Sequence, residues 1–237
     1  MPAADPHHWV LIPAAGIGRR MGTDLPKQYL DLAGLPVIEY SLRLFLNHPR
    51  IAGILVVLHP EDAHWDQVPS ARHKSIVQVA GGKERCDSVL NGLDYLITCA
   101  RGEDWVLVHD AARPCLRRED LDQLIDRLAG HPLGGLLGKP VQDTMKLADD
   151  DQQILHTVPR EKLWHAYTPQ MFRLGILHHC LQAALAAGKS ITDEASALEW
   201  AGEHPLLVEG HGDNIKITKP EDLALAKGYL QAQGRCS

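Results

Sequence analysis

Short apolar runs alternate with longer stretches in which apolar positions recur every three or four residues, the rhythm of strands feeding helices. The runs at 9–12, 54–58, 75–79 and 105–109 are predicted strands, apolar almost throughout, as strands buried on both faces are. Between the first two, PVIEYSLRLFLNH (36–48) sets Val37, Ile38, Ser41, Leu42 and Phe45 along one helical stripe behind Pro36, which suits a first turn. ERCDSVLNGLDYLI (84–97) and REDLDQLIDRLAG (118–130) repeat the pattern, the second ending at a glycine suited to a helix stop. The alternation predicts an α/β fold: a mostly parallel twisted sheet flanked by helices on both faces.

After Gly134 the rhythm changes. Two β-like runs, 141–147 and 154–158, are joined by the acidic turn ADDDQQ, which predicts a protruding β-hairpin arm within residues 138–162. A lone hairpin is marginally stable, so the arm is expected to pack on a second subunit, as a dimerisation element. Alternation then resumes, with helices expected at about 171–187, 193–201 and 221–232 and strands near 206–209 and 214–218. No repeat or low-complexity tract divides the 237 residues, so a single domain over 1–237 is expected.

The formal charge of −6 gives no general attraction to nucleic acid or to an anionic membrane, so an anionic ligand must be held by a local basic cluster. The five cysteines are far apart and form no CxxC pair, no apolar run approaches the ~20 residues of a membrane span, and MPAADPHHW does not read as a signal peptide. Reduced thiols in a cytoplasmic protein are the expectation. The pairs His7-His8 and His178-His179 lack carboxylates at metal-ligand spacing.

Chemistry gathers at PAAGIGRRMGTDLPKQYL (13–30). A strand ending in Pro13-Ala14-Ala15-Gly16 leaves small residues at the sheet edge where ligands of open α/β sheets bind. From Gly16 the spacing reads G-x-G-x-x-M, so Met21 stands where a dinucleotide fingerprint has its third small residue, and no Walker A loop occurs. Arg19, Arg20 and Lys27, against the single Asp24, suit a polyphosphate, although a solvated basic helix start would look the same. VLVHDAARP (106–114) ends a strand at Asp110, either a Mg²⁺ ligand beside that cradle or a cap of the next turn. AGGKER (80–85) is either a close-fitting base pocket, with Gly81 and Gly82 admitting a flat ring and Ser88 adding a hydroxyl, or an ordinary strand-to-helix turn. TDEASALEWAG (192–202) reads as a helix started by Thr192, with an architectural role.

Taken in order, PAAGIGRRMGTDLPKQYL, GGKERCDSVLNGL, VHDAARP, PVQDTMK, LWHAYTPQ, TDEASALE and DNIKIT give a sequence that resembles the 2-C-methyl-D-erythritol 4-phosphate cytidylyltransferases of the non-mevalonate isoprenoid pathway along nearly its whole length. The resemblance implies a Rossmann-like nucleotidyltransferase fold, a homodimer joined through the arm, and a divalent metal, Mg²⁺ or another such cation. It implies transfer of CMP from CTP to 2-C-methyl-D-erythritol 4-phosphate with release of pyrophosphate. By this match Arg20 and Lys27 stabilise the transition state, and Asp110 lies at the metal with Asp213 near metal and substrate. Ala14, Ala15, Gly16, Gly82 and Ser88 line the cytidine pocket, with Pro13, Gly18, Arg19 and Ala111 on the same nucleotide side. Thr144 and Arg160 reach the acceptor held by the partner subunit, which Lys216, Arg113 and Thr168 help to orient. Two positions depart: Gln142 stands where a basic residue is expected, and Lys83 where an acidic or small one is common.

The implied nucleophile is a phosphate oxygen, largely dianionic at neutral pH because its second pKa is near ~6, so no general base is required. That agrees with a chain holding 14 histidines but no obvious nucleophile and base pair. Rival readings are a sibling enzyme using ribitol 5-phosphate, an NAD-binding oxidoreductase (disfavoured by Met21), and a noncatalytic dimeric binding module.

Overall fold

The computed structural model describes residues 5–16 and 25–236. Seven strands form one sheet in the order β11-β7-β10-β6-β1-β4-β5. These are β1 (His8–Pro13), β4 (Ile51–Leu58), β5 (Ile76–Ala80), β6 (Trp105–Val108), β7 (Gly134–Pro140), β10 (Trp164–Arg173) and β11 (Leu206–Glu209). All run parallel except β10, which pairs antiparallel with both β6 and β7. Two small sheets stand apart, β2 (Asp31–Leu32) with β3 (Leu35–Pro36), and β8 (Met145–Ala148) with β9 (Ile154–Val158).

Period-two alternation divides the apolar strand residues between two cores. Val10, Ile12, Ile54, Val56 and Leu107 face α1 (Val37–Leu46) and α3 (Arg118–Leu128). Leu11, Leu55, Val57, Val106 and Val108 face α2 (Arg85–Ile97), α4 (Leu174–Ala186) and α5 (Glu194–Trp200). A third, smaller core joins α6 (Glu221–Ala232) to Val37, Tyr40 and Ile217. Within α1 the predicted stripe is the buried one, Val37, Ile38, Ser41, Leu42 and Phe45 included.

The structure corrects three sequence expectations. The segment expected as helix from 171 is still strand, because Met171 and Phe172 point into opposite cores, and α4 begins only at Leu174. The strand expected near 214–218 does not form; Ile217 is buried against α6 while its N–H bonds Ala112 O. Strand β7 hides in a glycine-rich run that a strand reading passes over, yet a Cβ at Gly135 would run into the Leu206 backbone of β11. A smaller shift moves the cap of α5 from Thr192 to Asp193, whose side chain accepts from Ser196 N.

The β8 and β9 strands pair as an antiparallel hairpin, with Met145, Leu147, Ile154 and Leu155 exposed. From β1 the chain goes outward to β4 and β5, then returns to β6 on the other side, so the strand order reverses between β1 and β6. The carboxyl ends of strands at such a reversal are where open α/β sheets bind ligands.

Beneath that reversal His109, fully buried, bridges three elements. Its Nε2 lies 3.1 Å from Arg113 O and its Nδ1 3.0 Å from Thr168 Oγ1. A carbonyl only accepts, so Nε2 carries the proton; Nδ1 of the neutral ring then accepts from the Thr168 hydroxyl, which in turn accepts the Asp110 N–H at 3.1 Å. Burial lowers the His109 pKa to about 4, against a smaller upward pull from Asp110.

Replacing Phe45, fully buried and edge-on to His109, with Ala is expected to cost about 3–5 kcal/mol in urea unfolding. Acid sensitivity follows from His109: between about pH 6.5 and about 4 the unfolded chain binds the proton and the folded one does not. Stability is therefore complete above that window and falls as pH drops through it, by at most about 3 kcal/mol from this residue. Thermal midpoints across the window should fall less steeply in His109→Gln than in the natural chain.

Candidate active site

A cleft of about 270 Å³ opens at the carboxyl ends of β1 and β6. Its floor is Pro13, Ala14, Ala15 and Gly16, continuing β1, with Asp110, Ala111 and Ala112 following β6. One wall is the start of α2, with Gly82, Lys83, Glu84, Arg85 and Ser88; the other carries Lys27, Gln28 and Lys216. Pairing between Ala14 N and Val57 O (2.8 Å), and between Gly81 N and Leu58 O (2.7 Å), fixes the two backbone edges.

The Gly-Gly turn has a packing reason of its own. A Cβ at Gly82 would collide with Asp87, whose carboxylate accepts the N–H of Glu84, the N-cap of α2, so glycine lets the helix start close to the loop. The Ser88 hydroxyl accepts from Gly82 N at 3.1 Å and donates to Glu84 O at 3.0 Å, which shapes the same turn.

Asp110 is the electrostatic centre. Lys216 Nζ lies 2.9 Å from its Oδ2, Arg85 Nε 3.2 Å from Oδ1, and Arg113 Nε 3.4 Å from Oδ2. Burial opposes the charge, but Arg85, Lys216 and Arg113 outweigh it and hold the carboxyl well below the usual range, so it stays ionised at any working pH. Arg85 also grips Glu194 through two bonds of 2.7 and 3.2 Å, and the two carboxylates raise its pKa against the opposing effect of burial. Lys27 Nζ donates to Ile217 O at 3.2 Å, which brings it beside Lys216.

Most of the expected nucleotide side thus meets at one cleft: Pro13, Ala14, Ala15, Gly16, Gly82, Ser88 and Ala111, with Lys27, Asp110 and Lys216. Gly18, Arg19 and Arg20 lie outside the described residues. Thr168 and Arg113 sit behind the lining, Arg113 donating to Asn214 O at 2.7 Å and packing over Tyr167. Thr144 and Arg160 stand exposed at the hairpin, where Arg160 donates to Gln142 O. Asp213 is not part of the lining; its Oδ2 is taken by Arg117 at 2.6 Å and Gln233 at 3.0 Å, so the structure does not pair it with Asp110.

Sequence reasoning passed over Arg85, Gln28, Glu194 and His109. Arg85 stood in the loop already singled out, but its partner is 109 positions away. Among the described residues no group of three or more His, Cys, Asp or Glu could hold a metal by itself. The lining does fit Mg²⁺, which takes one or two carboxylates and fills the rest with phosphate oxygens and water: Asp110 edges the cleft with a lone pair of Oδ1 left over beyond its three cations.

A family model described as 2-C-methyl-D-erythritol 4-phosphate cytidylyltransferase matches residues 8–232. A protein of that name from Pseudomonas syringae pv. tomato is 55% identical over 231 residues, 97% of this chain and 98% of its own. One from Vibrio vulnificus is 52% identical over 94% of each chain. Among solved structures, a 4-diphosphocytidyl-2C-methyl-D-erythritol synthase superposes with a TM-score of 0.83 at 39% identity, covering 96% of this chain and 100% of that one. The Francisella tularensis 2-C-methyl-D-erythritol 4-phosphate cytidylyltransferase gives 0.81 at 36% identity, covering 94% and 100%. With this agreement in sequence and fold, the chain belongs to the 2-C-methyl-D-erythritol 4-phosphate cytidylyltransferase family.

Proposed function

We infer that the chain transfers CMP from CTP to 2-C-methyl-D-erythritol 4-phosphate, giving 4-diphosphocytidyl-2-C-methyl-D-erythritol and pyrophosphate. The observation that carries the reading is the cationic cleft: Lys27, Lys83, Arg85 and Lys216 line it against Asp110 and Glu84, at the edge of a small-residue floor. An oxygen of the acceptor phosphate bonds to the α-phosphorus of CTP as the bond from that phosphorus to the bridging oxygen breaks, and pyrophosphate leaves with the electron pair. Two polyanions must approach in line, so the obstacle is charge and orientation rather than proton transfer. Lys27 and Arg20 meet the charge developing around the α-phosphate; Lys216, steered by Asp110, meets the acceptor phosphate. A divalent cation held by Asp110 and the triphosphate would neutralise phosphate charge. Arg113 and Thr168 act from behind by fixing Asp110.

The cytosine ring is assigned to the wall made by the 80–85 turn and Ser88, with Gly18 and Arg19 on the phosphate side. We read residues 1–237 as one nucleotidyltransferase domain and 138–162 as an arm that carries Thr144 and Arg160 into the partner's site. The exposed Met145, Leu147, Ile154 and Leu155 support this, since bare apolar side chains on a two-stranded hairpin need a cover. As a second metal ligand Asp213 would offer its Oδ1, buried and without a hydrogen-bond partner among the described residues, while Arg117 keeps Oδ2. Among the described residues no helix is long and apolar enough to cross a membrane, and a cytoplasmic site of action rests on the sequence expectation of reduced thiols.

Pyrophosphate release should require CTP, the methylerythritol phosphate and a divalent cation together, and ribitol 5-phosphate should not replace the acceptor. Lys27→Ala is expected to lower kcat about 100- to 1,000-fold, equivalent to ~3–4 kcal/mol, with an unchanged thermal midpoint. For the arm, a heterodimer of Arg160→Ala and Lys27→Ala protomers should regain part of the activity that each homodimer lacks; a purified heterodimer as inactive as its parents would refute the shared site.

A further inference from the structure

We propose that Gln28 is a positioning residue of the nucleotide site, its carboxamide clamping the end of β1 to the turn that carries Lys27. The inference deepens the reading of this cleft as the CTP site and rests on it.

Gln28 is buried, and its Nε2 donates to Ala14 O at 2.7 Å and to Gly16 O at 3.2 Å. A primary carboxamide nitrogen has two N–H groups, so both are spent on carbonyls two residues apart in the floor of the cleft. A trans peptide is planar, so a carbonyl held on one side aims the next N–H to the other, and fixing Ala14 O fixes the direction of the Ala15 N–H. The turn itself, Lys27–Tyr29, is held from its far side: Tyr29 N bonds Pro26 O at 2.8 Å and Tyr29 OH bonds Asp62 at 2.7 Å. Gln28 is therefore the polar tie between a rigid turn and a floor of small residues that have no side-chain anchors of their own. With the tie in place, the Lys27 ammonium and the 14–16 backbone keep a fixed separation, which a triphosphate lying on that floor requires.

Neither close analogue reproduces the tie. Leucine matches the bulk with no donor; ionised glutamate turns a carboxylate toward two carbonyls, and regains one donor only when protonated.

The test measures CTP KM, acceptor KM and kcat by pyrophosphate release for the natural chain, Gln28→Leu and Gln28→Glu, with thermal midpoints and equilibrium CTP binding alongside. Expected for Gln28→Leu is a rise of about tenfold or more in CTP KM with a fall in kcat, while acceptor KM stays within about twofold. The relative activity of Gln28→Glu should climb as pH is lowered from 8 to 6 and the carboxyl takes up its proton. A lowered midpoint with unchanged CTP KM and kcat, or equal losses for both substrates with no pH recovery in Gln28→Glu, would overturn the proposal and leave Gln28 a packing residue. If Gln28→Leu fails to fold, CTP binding and the pH profile of Gln28→Glu decide. If the natural chain releases no pyrophosphate with this acceptor, the reading of the reaction fails, while the CTP binding comparison still tests the clamp.

Discussion

A carboxylate taken out of water must be paired, and the one at Asp110 organises much of this chain. It is only 7% exposed, and its cationic neighbours come from three places: Arg85 at the start of α2, Arg113 just beyond β6, and Lys216 ahead of α6. Losing one partner of a buried charge costs several kcal/mol, so those three segments are held together by the same groups that line the cleft or back it. The demand propagates, since Arg85 is itself bound to Glu194, 2% exposed, at the first residue of α5. Gln170 completes that link from β10, donating to Asp193 at 2.8 Å and accepting from Ala195 N at 2.8 Å.

This arrangement suits reaction between two phosphates because the cations are already oriented before substrate arrives. An ammonium or guanidinium free in water would spend reorganisation energy when charge develops; one tethered to a buried carboxylate or carbonyl does not. The neutral His109 beneath contributes by direction rather than charge: its accepting Nδ1 orients the Thr168 hydroxyl, and that hydroxyl receives the Asp110 N–H. A protonated imidazole would break this chain, since Nδ1–H cannot accept.

What the sequence made legible is what local patterns encode. The apolar runs of β1, β4 and β6, the stripe of α1 and the small residues after Ile12 are each written within a dozen positions, and Lys27 stands out as a cation beside them. Arg85 was not legible as a site residue, because its meaning comes from Glu194, which only folding brings near. The run 214–218 misled because apolar residues close a core as readily as they make a strand. The end of β10 misled because QMF continues smoothly into an apolar helix, with no cap residue to mark the change. The pairing of Asp213 Oδ2 with Arg117 was equally hidden, because the two lie 96 positions apart and DNIKIT does not contain the arginine.

The two departures from the family pattern are explained unequally. At Gln142 the structure shows why a change of side chain is tolerated: Arg160 donates to the main-chain carbonyl of Gln142, so its anchor is independent of the residue type there. Lys83 is different, because it lines the cleft itself and is exposed at its rim. A cation at that point adds to the positive field of the cleft, while the backbone of the neighbouring turn is held through Ser88. Gln142 thus serves Arg160 through its main chain, whereas Lys83 acts on the cleft through the charge of its side chain.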